Sequence, residues 1–376
     1  MRKFKTILVP LAALSLVAAA CGGDDDDAAT DDGSAATEDA GDGGDGGDGG
    51  DGGDTGDGGD GGDGGDTGDG GDGGDGGDGG DTVDASQGGD LTFHMITHSD
   101  DGPFWSVVKR GMDAACEDLG VSCVWVPGNN DAQVMVQGIE SALGEGTNGI
   151  AASLPDPAAL VGPLQGAVGN GVPVITLNSG SNDYQEIGAL THVGQTEDVA
   201  GNGAGNRFND AGATKVLCAQ QEQGNVGLAE RCAGLEQTFN GEVITEFMGL
   251  DADTTEQQNT INATLAADPD IDGVLGVGPV ITMSALRAAQ DLGRDDIVIG
   301  GFDLTPELIG AIEAGDVAFT VDQQQYLQGY MPILLLYLNV TNQNTLGGGL
   351  PVLTGPGFVT PENAAAVLAL SEQGTR

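Results

Sequence analysis

GIAASLPDPAALVGPLQGAVGNGVPVITLN, residues 149–178, decides the architecture of this chain. It opens on a short apolar run at 149–153, passes through a helical stretch near 158–170, and closes on a second apolar run at 172–178. Both runs are nearly continuous in apolar residues and are bounded by Gly, Pro and Asn, which is how strands buried in a parallel sheet read. A strand–helix–strand unit of this kind crosses over right-handed. Outward in both directions the alternation repeats. Strand candidates are 91–97, 121–126, 149–153, 172–178, 215–220, 242–247, 273–277, 297–302 and 318–323. Helical stretches lie near 104–119, 132–145, 158–170, 197–211, 226–239, 255–268, 279–292, 306–314 and 327–342. Nine strands are many for one sheet. The spacing therefore predicts an α/β fold of two Rossmann-like, doubly wound lobes, with the break near 193–197, where an extended segment leads into a fresh helix.

The first 89 of the 376 residues belong to no lobe. Residues 1–21 carry Arg2, Lys3 and Lys5, an apolar run from Ile7 to Val17, and small residues ending at Cys21, the pattern of a secretory leader too short to span a membrane. LVAAAC, residues 16–21, resembles a bacterial lipobox, which implies a lipid on Cys21. Residues 22–89 are almost wholly Gly and Asp and hold no aromatic residue, so they cannot bury enough apolar surface to order themselves. As a coil, a tether of that length reaches roughly 45 Å, and further because like charges repel. A calcium-binding β-helix would need an apolar residue in each turn, which this period-three repeat lacks.

Formal net charge is −48, but 23 acidic residues and no basic one lie in 22–89. The remaining body keeps 36 acidic against 8 basic residues. With no basic patch to neutralise phosphates, nucleic acid is disfavoured as a partner, as is an anionic membrane surface; contact with a membrane is expected only through the anchor.

Beyond Cys21, four cysteines remain: Cys116, Cys123, Cys218 and Cys232. An even number in an exported chain points to disulfides, and three connectivities are possible. Nearest-neighbour pairing is favoured because each pair brackets one helix–strand or strand–helix unit. No metal is expected, since zinc sites use shorter Cys-x-x-Cys spacings. His94 and His98 lie about 13 Å apart along a strand, too far to share an ion; His94 reads as a packed side chain. No cofactor is expected either. GNGAG, residues 201–205, falls inside a helical stretch rather than after a strand, and close helix packing accounts for it.

Ligands of doubly wound sheets sit beyond the carboxyl ends of the strands. Those ends carry Ser153, Asn178, Gln220, Asp303 and Gln323, with His98 and Asp100 after the first strand, and Asp156 is a further candidate for the site. Phe104 and Trp105 open the first helix of an aromatic-poor body. Neutral hydrogen-bonding groups beside flat apolar faces suit a sugar ring, whose hydroxyls need partners and whose C–H faces pack on aromatic rings.

Several motifs together resemble the ribose-binding-protein-like, periplasmic-type sugar-binding proteins of ABC importers. DGPFWSVVKRGM (101–112) is similar to the family's aromatic ligand-stacking turn, and GVPVITLN (171–178) to its fourth strand. AERCAGL (229–235) resembles a helix whose arginine binds ligand hydroxyls. GGFDLTP (300–306) resembles the motif that brings an aspartate into the site, and TVDQQ (320–324) the last crossing between lobes. The resemblance implies ligand-binding roles for Phe104, Trp105, Asn178, Arg231, Asp303 and Gln323. It implies a periplasmic binding protein of type I, with one lobe of 90–194 plus about 324–356 and another of 195–323 plus about 357–376. It also implies a monomer that delivers ligand to a membrane permease and its ATPase. Two departures lower the charge and hydrogen-bonding capacity of the site: Asn178-Ser179 stands where ribose-type members have Asp-Arg, and Gly278-Pro279 where they have Asn-Asp. The ligand expected is thus a monosaccharide or related polyol, with a nucleoside or other small polar solute as the alternative. A sensor presenting ligand to a receptor kinase or chemoreceptor would read the same. A glycoside hydrolase would need a pair among Asp100, Asp156 and Asp303 about 5–10 Å apart. No Gly-x-Ser-x-Gly elbow, zinc-protease helix or Walker loop occurs, and no enzyme is expected.

Overall fold

The computed structural model describes residues 89–100 and 102–376. The leader, Cys21 and residues 22–88 of the tether lie outside them.

Two six-stranded sheets organise the chain. The first contains β1 (Thr92–Thr97), β2 (Ser122–Pro127), β3 (Gly149–Ser153), β4 (Val174–Leu177), β5 (His192–Gly194) and β11 (Val352–Leu353). The second contains β6 (Lys215–Gln220), β7 (Glu242–Phe247), β8 (Gly273–Gly276), β9 (Val298–Phe302), β10 (Phe319–Asp322) and β12 (Gly357–Val359). Their orders are β11-β5-β4-β3-β1-β2 and β12-β10-β9-β8-β6-β7. Pairing is parallel throughout, except that β12 runs antiparallel to β10. Both sheets thus place β-strand carboxyl ends along one edge each, the edge where doubly wound folds bind ligands.

Helices cover both faces, and the side-chain alternation of the strands decides which helix each residue meets. In the first sheet Phe93 and Met95 pack with α1 (Gly102–Leu119) and α10 (Gln325–Asn342), while Ile96 and Ile150 pack with α2 (Ala132–Gly144) and α3 (Pro157–Gly169). In the second sheet Val216 and Leu275 meet α5 (Glu197–Ala211) and α6 (Val226–Thr238). Leu217 and Val274 meet α7 (Thr254–Ala267), α8 (Pro279–Leu292) and α9 (Pro306–Ala314). The inner strands β3 and β4 are buried along their whole length and so are largely apolar at successive positions, which is the signal residues 149–178 carry, whereas the edge strands β2 and β7 are partly exposed.

Close helix contact explains three of the body's helical glycines. A Cβ at Gly201 would strike the Arg231 carbonyl on α6, and one at Gly234 the Asp198 carbonyl on α5. A Cβ at Gly329 would likewise strike the Val108 carbonyl, so α1 and α10 approach backbone to backbone. Disulfides Cys116–Cys123 and Cys218–Cys232 tie α1 to β2 and β6 to α6, each within one sheet's own layer.

The chain passes between the sheets three times: from β5 into α5, from β10 into α10, and from β11 into β12. The expected count of nine strands is corrected to twelve among the described residues. β5, β11 and β12 have two or three residues each and lie at these crossings, too short to show any hydrophobic period. The structure also adds the short α4 (Tyr184–Ile187) and the final α11 (Ala364–Glu372) to the expected helices. Among the described residues no helix is long and apolar enough to cross a membrane.

Candidate ligand-binding cleft

A cleft of about 1010 Å³ lies between the carboxyl ends of the two sheets. One wall is aromatic. Gly102 turns into α1 with φ of +79°, and Phe104 and Trp105 occupy the first turn. Phe104 packs edge to face with Trp105 at 5.0 Å, and the His98 ring does the same at 4.8 Å. Trp125 of β2 stands behind at 6.3 Å. The indole, 5% exposed, is thus held by three ring neighbours where it lines the cleft.

The opposite wall is built on a buried ion network. Arg231, on α6, donates from Nε and Nη2 to the two carboxylate oxygens of Glu197 at 2.7 and 3.0 Å. Its Nη1 donates to the Val277 carbonyl at 2.8 Å and reaches Asp303 Oδ2 at 3.5 Å. The guanidinium lies 4.5 Å above the Phe302 ring. Gln323 donates to Asp303 Oδ1 at 2.6 Å and accepts from Gln328 at 2.7 Å, and Asn178 donates to the same Gln323 oxygen at 3.5 Å. Asn178 belongs to the first sheet and Asp303 to the second, so this chain of hydrogen bonds crosses between them. Both residues sit at strand ends with positive φ, +63° and +66°, a conformation Asn and Asp tolerate better than most side chains and which aims them off the strand line.

Charge in this wall follows burial. Burial drives Asp303 up to about 6, against the pull of Arg231 and of the Gln323 hydrogen bond. Arg231 cannot offset it because Glu197 holds the two short contacts and Asp303 only the long one. Burial also works to lower the Arg231 pKa, but Glu197 and Asp303 hold it above its ordinary value, so the guanidinium stays charged. His98 is lowered by burial, with Glu222 opposing, and is a neutral ring at pH 7. Asp251, at the mouth, is raised to about 6 by burial.

The two sides already touch at the start of α6. Val226 N–H donates to the Pro155 carbonyl at 3.0 Å, Ser179 donates to Asn225 at 3.1 Å, and Asn182 donates to Glu230 at 2.7 Å.

His98, Phe104, Trp105, Asp156, Asn178, Arg231, Asp303 and Gln323 all line the cleft. Asp156 also caps α3 by accepting from Ala159 N–H. Three expectations are corrected. Asp100 is exposed and does not line the cleft. Ser153 is 0% exposed and lies behind His98, whose N–H and Nδ1 meet its hydroxyl at 2.8 and 2.9 Å, so it positions that ring instead of facing the ligand space. Gln220 points at α6, donating to the Leu228 carbonyl, and the next residue, Gln221, lines the cleft in its place. Glu197, Glu222, Asn225 and Asp251 were also missed. Glu197 had one usable signal: the lone arginine of a buried helix needs a carboxylate. His94 packs as expected, against Thr147 at 3.0 Å.

A two-sided cleft at the carboxyl ends of two doubly wound sheets, crossed three times by the chain, defines a binding protein of the periplasmic type. The chain belongs to the periplasmic binding protein domain family, which it matches over residues 93–344. Within it the chain is ribose-binding-protein-like. It is 29% identical to the xylose/arabinose-binding protein of Sulfolobus acidocaldarius, over 73% of this chain and 72% of that one. It is 25% identical to the ribose import binding protein of Escherichia coli, over 64% and 82%. Among solved structures, a carbohydrate transporter of Acidothermus cellulolyticus in complex with myo-inositol is 39% identical, covering 76% of this chain and 99% of its own, with a TM-score of 0.74.

Proposed function

We propose that this chain is the extracytoplasmic solute-binding protein of an ABC importer, capturing a monosaccharide or cyclic polyol by closure of its lobes and delivering it to a permease with its ATPase. One observation carries the reading: a fixed aromatic face on one wall opposes a desolvated Arg231–Asp303–Gln323 array on the other. Hydroxyls lying between them would accept from the one guanidinium hydrogen left on Nη2 and donate to the Asp303 carboxylate, while a C–H face stacks on Trp105. Ligand contacts made from both sides favour the closed arrangement, since only that state offers all of them at once. The relatives named for xylose, arabinose, ribose and myo-inositol support a ligand of this class.

Further parts of the reading follow from the sequence: a lipid anchor at Cys21, a Gly-Asp tether lifting the body from the membrane, and a monomeric body with lobes of 90–194 plus 324–356 and 195–323 plus 357–376. The reading is of a binding protein and not of an enzyme, and it is supported by the burial of the Ser153 hydroxyl behind His98 and by the engagement of Asp156 in a helix cap and of Asp303 in an ion network.

A thermal-shift screen of the full chain against monosaccharides, polyols and nucleosides tests this. A ligand at a thousand times its Kd adds about 4 kcal/mol of stability, so a sugar or polyol should raise Tm by several degrees. A shift with nucleosides alone would refute the ligand class.

A further inference from the structure

The order of strands sets the order of side chains along the cleft. From the crossing outward the second sheet presents Gln323 after β10, Asp303 after β9, Gly278 after β8, Gln221 after β6, and Phe247 at the end of β7. Three strand spacings separate Asp303 from Phe247, about 14 Å. A six-membered ring with its hydroxyls is about 7 Å across, from bond lengths near 1.5 Å. The array that holds the first ring therefore occupies only the inner half of the cleft. A volume of about 1010 Å³ agrees, standing at the top of the roughly 300–1,000 Å³ range of small-molecule sites.

The outer half is built to hold something. Gln221 is only 6% exposed, yet its Oε1 has no hydrogen-bond partner among the described residues. A buried acceptor left so costs about 1–3 kcal/mol. It is held in place at Gly278, where any Cβ would meet its amide at 2.6 Å. Beyond it Phe247 and Leu250 line the cleft at 38% and 51% exposure, large apolar side chains left open to water. Facing them from the first sheet are Asn129 and Asn130, exposed and held at positive φ. The charged groups here are carboxylates, Asp131, Glu222 and Asp251, and the one basic residue lining the cleft, Arg231, stands at the inner end. An anionic substituent is thereby disfavoured.

We propose that the outer half of the cleft is a subsite for a second, neutral ring, so that the chain takes a glycosylated cyclic polyol or a disaccharide: one ring lies at Trp105 and the other over Phe247. This rests on the sugar-binding reading above. The test is isothermal titration of the full chain with three pairs of probes: myo-inositol and its α-galactoside, D-xylose and xylobiose, D-glucose and cellobiose. In at least one pair the two-ring compound should bind tenfold or more tightly than its one-ring partner. Phe247→Ala, at an exposed position, should cancel that advantage while leaving one-ring affinity within twofold, and Phe247→Tyr should restore it. Single rings that bind as well as or better than their two-ring partners overturn the second subsite and leave the sugar reading standing. An advantage that survives Phe247→Ala also overturns it. If no member of any pair binds, the sugar reading falls and takes this proposal with it.

Discussion

Lowering the pH from 7 to 5 should weaken ligand binding about tenfold, because Asp303 changes charge inside that window. Its carboxyl is held at about 6, first by burial and then by Glu197 and Asp322, against Arg231 and Gln323. One of its oxygens accepts from Gln323, and the other, 3.5 Å from Arg231 Nη1, keeps a lone pair for a ligand hydroxyl when ionised. A group titrating at 6 is about nine-tenths ionised at pH 7 and about one-tenth at pH 5, a tenfold change in the competent form, or about 1.4 kcal/mol. Titration calorimetry at pH 7, 6 and 5 with a ligand found by screening reads it directly. Asp251 also lines the cleft and is raised to about 6, so the parent protein alone does not assign the effect. Asp303→Asn does: it should bind more weakly at pH 7 and with little pH dependence. A parent Kd constant within twofold, or an Asp303→Asn profile as steep as the parent's, would refute the reasoning. Stability without ligand runs the other way. Both acids have folded-state pKa values above their unfolded ones, so the stability they contribute is present below about pH 4 and fades as pH rises through 6. The ligand-free Tm should accordingly rise from pH 7 to pH 5.

Arg231→Met leaves Glu197 as an uncompensated buried charge, a loss of about 3–5 kcal/mol, and thermal melts should show Tm falling by roughly 10 °C. Arg287→Ala, whose 39%-exposed side chain pairs with Glu307, should cost under about 1 kcal/mol; equal losses would contradict the buried network. Cys21→Ser should release the protein into the medium with unchanged ligand affinity, and a variant that stays in the membrane fraction rules out the lipid anchor. Cys232→Ser should remove about 3 kcal/mol by the loop-entropy argument, and peptide mapping of the unreduced parent should recover Cys116–Cys123 and Cys218–Cys232 and no crossed pair.

What could be read from the sequence was what depends on runs of residues. The long strands and helices announce themselves by apolar runs and by Gly, Pro and Asn punctuation, and sheet order then fixes which ends face the cleft. Trp105, Arg231 and Asp303, which line the cleft, are legible in the sequence because each belongs to a motif several residues long. Single-residue register was harder. A strand end one residue off moves a side chain to the other face, which is why Gln220 was chosen where Gln221 lines the cleft. Ser153 shows a second limit: its position at a strand end was right, but His98 covers it. Glu197 shows a third. Its partner is 34 residues away on another helix, and no local pattern marks a buried ion pair. β5, β11 and β12 are set by pairing at the crossings and not by their own composition.

Hydrogen exchange of the full chain with and without saturating ligand tests the central claim, that one ligand is held from both sheets at once. The account predicts slowed exchange in two separate places: the first turn of α1 around Phe104 and Trp105, and the segments around Asp303 and Gln323. Protection confined to one of these, or appearing only elsewhere on the body, would contradict it.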